Sequence, residues 1–253
     1  MKNKILELYK AKHEIPLFYC ESGSRLWGIA SPDSDYDVRG IHLQSKEQYF
    51  GFKKEPDSLS KMNGLFDFES FSLDKFCQLI LKSNPNLLEW LRSDLVYFNE
   101  LPNWENFRAE VLKNIDMSAL YFHYLSLAKG NIALFETGKK AYYKVVFYAI
   151  RGLLSADLAA QNIMPELDIL KLRNQLGKNN ELTDLLENSI DQKRNSNEKE
   201  PIEEELRAPI LVILKGYLLK LQNLNISKFG PNTKLEIVLK DYNYAVKERI
   251  YLS

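Results

Sequence analysis

Three shortages narrow the reading of this chain. It has two cysteines, Cys20 and Cys77, set far apart without metal-ligand spacing. Neither a disulfide framework nor a cysteine zinc site is expected, and both read as buried free thiols in a reducing compartment. It has no surplus of charge: 34 Lys and Arg balance 34 Asp and Glu. A large sequence-blind grip on nucleic acid usually carries excess cation, so only a local basic patch is left open. It also has no apolar run long enough to span a bilayer, and the N-terminal MKNKILELYKAKHEI has a helical period rather than a secretory apolar region. A cytoplasmic protein with no membrane partner is the expectation. The three histidines, His13, His42 and His123, are scattered without zinc spacing.

What is present suits an ordinary globular chain of one large or two small domains, with 45% apolar and 27% charged residues in 253. Residues 2–13 have a helical period. Ile15 to Cys20 reads as a strand, Arg25 to Ile29 as a short helix, and Tyr36 to Leu43 and Gly64 to Phe71 as further strands. Leu73 to Lys82 reads as a helix. Asn84 and Pro85 then cap and open another. Residues 105–176 carry only helical periods. Glu187 to Pro201 is polar and predicts a mobile loop. Ile202 to Leu224 and Thr233 to Tyr251 read as helices, the second with Thr233 and Glu236 at capping-box spacing. The fold class is therefore α/β (α+β), with a small mixed sheet over residues 1–100 and an all-helical domain over 101–253.

The chemistry is concentrated near the start. Glu21-Ser22-Gly23-Ser24-Arg25-Leu26-Trp27-Gly28 runs on to Ser34-Asp35-Tyr36-Asp37-Val38. On an extended strand alternate side chains share a face, so Asp35 and Asp37 project together. Paired carboxylates repel unless a cation lies between them. Mg²⁺ suits them, because it takes carboxylate oxygens and completes its shell with water and substrate phosphates. The Gly23-Ser24 turn can offer backbone N–H groups and a hydroxyl to those phosphates. By position alone Asp35 and Asp37 read as a solvated turn; the Gly23-Ser24 turn at the right distance upstream, with the long string around it, reverses that in favour of the metal. The planar fork of Arg25 matches a triphosphate, with a salt bridge at a helix start as the alternative. Trp27 and Trp90 can stack on a base, but core packing is the favoured reading for both. Farther on, Lys144, Tyr148 and Arg151 form one stripe of an otherwise apolar helix. Buried cations need an anion: either a carboxylate such as Glu136 or Asp157, or a bound triphosphate.

The Gly-Ser pair, the ten-residue spacer and Asp-x-Asp resemble the signature of the DNA polymerase beta-type nucleotidyltransferase superfamily. The longer string ESGSRLWGIASPDSDYDVRGI is similar to the predicted nucleotidyltransferases of an RNA-repair pathway. The resemblance continues through Lys82 to Leu91 and Phe147 to Arg151, and thins beyond about residue 175. It implies a sheet carrying the metal site, a helical domain closing over the nucleotide, and two Mg²⁺ ions, with Mn²⁺ as the alternative; because helical domains of similar enzymes place basic residues at the nucleotide, it also favours the triphosphate as the anion for Lys144, Tyr148 and Arg151. It also implies a third carboxylate from a neighbouring strand, activating the attacking hydroxyl. Asp67 fits best, with Glu69 on the same face as its rival. Relatives have Asp where this chain has Ser72, which affects only a helix cap.

The expected activity moves a nucleoside monophosphate from a nucleoside triphosphate to a hydroxyl, with an RNA or tRNA end as acceptor. The alternatives are a nucleotide-binding regulatory module without transfer, or transfer to a protein or an antibiotic. Neither the nucleotide nor the oligomeric state is legible in the sequence.

Overall fold

The computed structural model describes residues 1–253 apart from 11, 31–33, 177–180, 196–200, 229 and 253. The chain divides into two compact units. The first comprises Met1–Leu26, Asp33–Ile115 and Pro231–Ser253; the second comprises Trp27–Pro32 and Asp116–Gly230.

The first unit is built on a five-stranded mixed sheet. Its strands are β1 (Ile15–Ser22), β2 (Tyr36–Leu43), β3 (Ser58–Asn63), β4 (Phe66–Ser72) and β5 (Val96–Asn99), in the spatial order β3-β4-β2-β1-β5. β2 and β4 run parallel; the other neighbours are antiparallel. Strand alternation divides the residues between two faces. On one face Ile5 and Tyr9 of α1 (Lys2–Tyr9) meet Tyr19, Val38, Phe66, Phe68 and Phe98. Gly40 makes this possible, since a Cβ there would stand 2.1 Å from the Tyr19 ring. A polar chain threads this face: Ser70 Oγ lies 2.8 Å from Tyr19 Oη, 3.3 Å from Tyr9 Oη and 2.9 Å from His42 Nδ1.

The opposite face carries helices. After α2 (Gly23–Leu26) and α3 (Lys46–Phe50) come α4 (Leu73–Leu81), α5 (Pro85–Arg92) and α6 (Trp104–Lys113). Ser72 caps α4 by accepting the Lys75 N–H, so Ser serves here as Asp would. Asn84 caps α5, with Pro85 at its first position. Phe18 packs on Trp104 (4.4 Å between ring centroids) and Phe71 on Trp90 (4.9 Å). Trp90 is a core residue, and Cys20 and Cys77 are buried free thiols.

The second unit is helical: α7 (Met117–Glu136), α8 (Tyr143–Ala160), α9 (Ile169–Gln175), α10 (Glu181–Asn195) and α11 (Glu204–Gln222). Gly152 of α8 lies against Ala128 of α7, where a Cβ would stand 3.0 Å from the alanine methyl. Tyr121 donates to the Leu221 carbonyl at 2.7 Å. The final helix, α12 (Thr233–Tyr251), belongs to the first unit. There Tyr242 stacks on Phe107 at 3.7 Å, and Asn243 and Lys247 both reach Asp74.

Four local expectations need correction. The short helix after β1 spans Gly23–Leu26 rather than Arg25 to Ile29. The expected loop from Glu187 is helical as far as Asn195, because Leu182, Leu185, Leu186, Ser189 and Ile190 form a buried stripe that continues past Glu187; residues 196–200 of that loop lie outside the described residues. The cap of α12 is Asn232, whose Oδ1 accepts the Leu235 N–H at 3.1 Å, and Thr233 is already helical. Finally, β3 and β5 form where the sequence pattern predicts no strand. Among the described residues no helix is long and apolar enough to cross a membrane.

Candidate active site

The parallel pairing of β2 with β4 sets Asp37 opposite Asp67 and Arg39 opposite Glu69. Asp37, Arg39 and Ile41 alternate along one face of β2; Asp67, Glu69 and Phe71 do so along β4. Farther down this face the aromatic residues meet helices, while at its other end Asp37 and Asp67 remain partly exposed. Strand register alone therefore brings together two carboxylates thirty residues apart in sequence.

Arg39 stands between them. Its Nη2 donates to Asp37 Oδ1 at 2.7 Å and to Asp67 Oδ2 at 2.6 Å, and its Nη1 donates to the Asp67 carbonyl at 2.8 Å. Asp37 is nonetheless pushed up to about 6. Burial is the main cause; Arg39 opposes it, and the charges of Asp67 and Glu21 add to it. Below lies Glu21, fully buried, which accepts the Asp37 N–H at 2.8 Å and the Tyr97 hydroxyl. Burial raises the Glu21 carboxyl above its ordinary range.

The turn after β1 closes this site. Gly23 has φ +63°, a left-handed conformation that glycine adopts without penalty. The Asp37 carboxylate occupies the space a side chain at Gly23 would need. Ser24 is buried at the start of α2. Arg25 is tied to the backbone, donating from Nε to the Asp35 carbonyl at 3.1 Å and from Nη2 to the Ser34 carbonyl at 2.8 Å. Its guanidinium lies 3.9 Å from the centre of the Tyr36 ring. Asp35 is half-buried, one residue before β2.

Asp37 and Asp67 thus meet, with Gly23 beside Asp37. Among the described residues, Asp35 does not join them in a group of three acidic, His or Cys side chains placed to hold a metal. The donor set still fits a hard divalent cation: two carboxylates converge on one point already held by a cationic group. Glu69 is half-buried and opposite Arg39 in register. Lys144, Tyr148 and Arg151 all lie on α8, in the second unit. Within that unit Trp27 stacks on Phe147 and meets Tyr148 edge-on, and the Arg151 guanidinium lies 4.0 Å from the Trp27 ring centre. Arg39, Glu21 and Tyr97 join the site without a role in the sequence reading. Arg39 was within reach of strand alternation, being two residues beyond Asp37. Glu21 is in the motif itself, but the contact with Tyr97 crosses the sheet and leaves no local mark.

Residues 2–221 match the model of the RNA repair pathway DNA polymerase beta family, well past residue 175, near which the motif resemblance thins. The chain is 34% identical over 204 residues to the uncharacterized protein YcgL of Bacillus subtilis, covering 78% of each. It is 33% identical over 153 residues to the uncharacterized protein MJ0002 of Methanocaldococcus jannaschii, covering 59% of this chain and 62% of that one. A crystal structure of a nucleotidyltransferase-like protein from Exiguobacterium sibiricum aligns with 99% of this chain and 89% of its own at TM-score 0.36 and 11% identity, too distant to carry an argument.

Proposed function

Since the chain belongs to the RNA repair pathway DNA polymerase beta family, a nucleotidyltransferase family, we propose that it transfers a nucleoside monophosphate from a nucleoside triphosphate to a hydroxyl, with an RNA or tRNA end as acceptor. The acceptor hydroxyl attacks the α-phosphorus, the bond to the β-phosphate oxygen breaks, and pyrophosphate leaves. The observation that supports this reading is the register pairing of Asp37 with Asp67 around one cationic centre, beside the Gly23 turn.

Each residue then has a task. Asp37 and Asp67, with Asp35 ahead of the strand, are the oxygen donors for Mg²⁺ or Mn²⁺. When bound, such ions supply charge stabilisation to the attacking and leaving oxygens. Asp67 is the carboxylate assigned to the attacking hydroxyl. Gly23 and Ser24 take anionic oxygens of the triphosphate through backbone N–H and hydroxyl. Arg25 holds the loop carbonyls that position Asp35, in addition to its proposed attraction for phosphate. Lys144, Tyr148 and Arg151 are proposed for triphosphate binding by charge and residue type.

The test is incubation with each labelled nucleoside triphosphate, Mg²⁺ and total RNA, tracking the label. Label on RNA that disappears with Asp37→Asn supports the reading. Label on protein moves the acceptor. Absence of pyrophosphate release with every nucleotide and acceptor favours the regulatory module.

A further inference from the structure

Arg39 has no assigned task in that scheme, yet it meets two of the three proposed metal ligands, Asp37 and Asp67. One nitrogen, Nη2, serves both carboxylates, at 2.7 and 2.6 Å. The other, Nη1, is fastened to the Asp67 carbonyl at 2.8 Å and lies 3.4 Å from the Val38 carbonyl. Its side chain is 15% exposed, against 23% for Asp37 and 37% for Asp67. This is a placed guanidinium rather than a solvated arginine that happens to be near.

We propose that Arg39 is the resident counterion of the Asp37–Asp67 pair, and that a divalent cation must displace it in order to bind. The inference rests on the reading of Asp37 and Asp67 as metal ligands. Each carboxylate commits one oxygen to Arg39, and the charge of the guanidinium opposes a second cation at the same pair. Metal affinity without nucleotide is therefore reduced by the fraction of molecules in which Arg39 is in place. The displaced guanidinium needs an anion, and a planar fork suits a phosphate oxygen. A triphosphate that receives it favours the metal-bound state, and by linkage the metal favours the triphosphate. The arginine thus makes the two ligands arrive together. It also keeps the carboxylates from repelling each other while neither ligand is present.

The test is Mn²⁺ titration without nucleotide, reading the electron paramagnetic resonance signal of free Mn²⁺. The proteins are wild type, Arg39→Gln, Arg39→Lys and Asp37→Asn. Arg39→Gln should bind Mn²⁺ more tightly than wild type, on the order of tenfold, within the range of typical coupling between sites. Arg39→Lys should fall between them, because one ammonium still competes. If both Arg39 variants bind Mn²⁺ no better than wild type while Asp37→Asn loses it, the exchange is wrong and the metal pair stands. If Asp37→Asn binds as wild type does, the metal pair itself is wrong, and both readings fall. Should Arg39→Gln fail to fold, Arg39→Lys decides alone: affinity equal to or below wild type overturns the proposal.

Discussion

The carboxylate of Asp37 lies directly over the Cα of Gly23, so that a Cβ there would stand 2.0 Å from Oδ2. Two penalties are then combined in one substitution. Gly23→Ala meets the left-handed backbone cost, roughly 1–2 kcal/mol, and it also collides with Asp37. The two separate in an Asp37→Ala background, which removes the collision with the carboxylate and leaves the backbone cost with a 3.3 Å approach to the Cβ of residue 37. Urea unfolding should give a larger loss for Gly23→Ala in wild type than in Asp37→Ala. Equal losses in both backgrounds would mean that Asp37 does not rest on this turn.

The register also divides the two rival carboxylates of β4. Asp67 is opposite Asp37, whereas Glu69 is opposite Arg39. Asp67→Asn should abolish nucleotidyl transfer while triphosphate still binds. Glu69→Gln should keep most of the rate. A single-turnover assay decides, and the reverse order of damage hands the role to Glu69.

Arg151 has a structural load of its own. It is 8% exposed, and its guanidinium faces the Trp27 indole. Arg151→Met should lower apo stability, the cation–π share being roughly 0.5–2 kcal/mol. In a double-mutant cycle with Trp27→Leu the losses should be less than additive. Lys144→Met, half-buried on the same stripe, should weaken triphosphate binding with little change in apo melting temperature. If Lys144→Met instead costs stability and leaves affinity untouched, the stripe is structural.

His42 should give the first unit an acid limit. It is fully buried, its Nδ1 lies against Ser70, and burial lowers it from 6.5 to about 4. The unfolded chain therefore binds a proton more readily than the fold between those values. The stability associated with neutral His42 is complete above about pH 6.5 and is lost as pH falls toward 4. His42→Asn should flatten the slope of unfolding free energy in that window. An unchanged slope would assign acid sensitivity elsewhere.

The site was partly legible because its key distances are local. Gly23-Ser24 and Asp35-x-Asp37 sit within one strand–turn–strand segment, and β4 announces itself by the alternation of Phe66, Phe68 and Ser70 with Asp67, Glu69 and Phe71. β3 left no such mark. Its residues Ser58 to Asn63 are mostly exposed and polar, and only pairing with β4 makes them a strand. β5 is four residues at an edge, too short to show a period. The task of Arg39 depends on the distance between two strands, which no single-segment pattern contains. The extent of α10 is hidden for another reason: polar residues on its outer face mask a buried stripe that runs from Leu182 to Ile190.

The first unit is assembled from three separated stretches, the last of which is α12. On the ribosome, the sheet, α4 and α6 emerge long before the helix that meets Asp74 and stacks on Phe107. For the whole synthesis of residues 116–230 the unit has to wait with part of its surface uncovered. Its completion is a late, long-range event, so folding of the proposed catalytic unit is tied to translation of the last helix. A nascent chain stalled just short of α12 would hold every residue of the carboxylate site and still present an unfinished unit to chaperones and proteases.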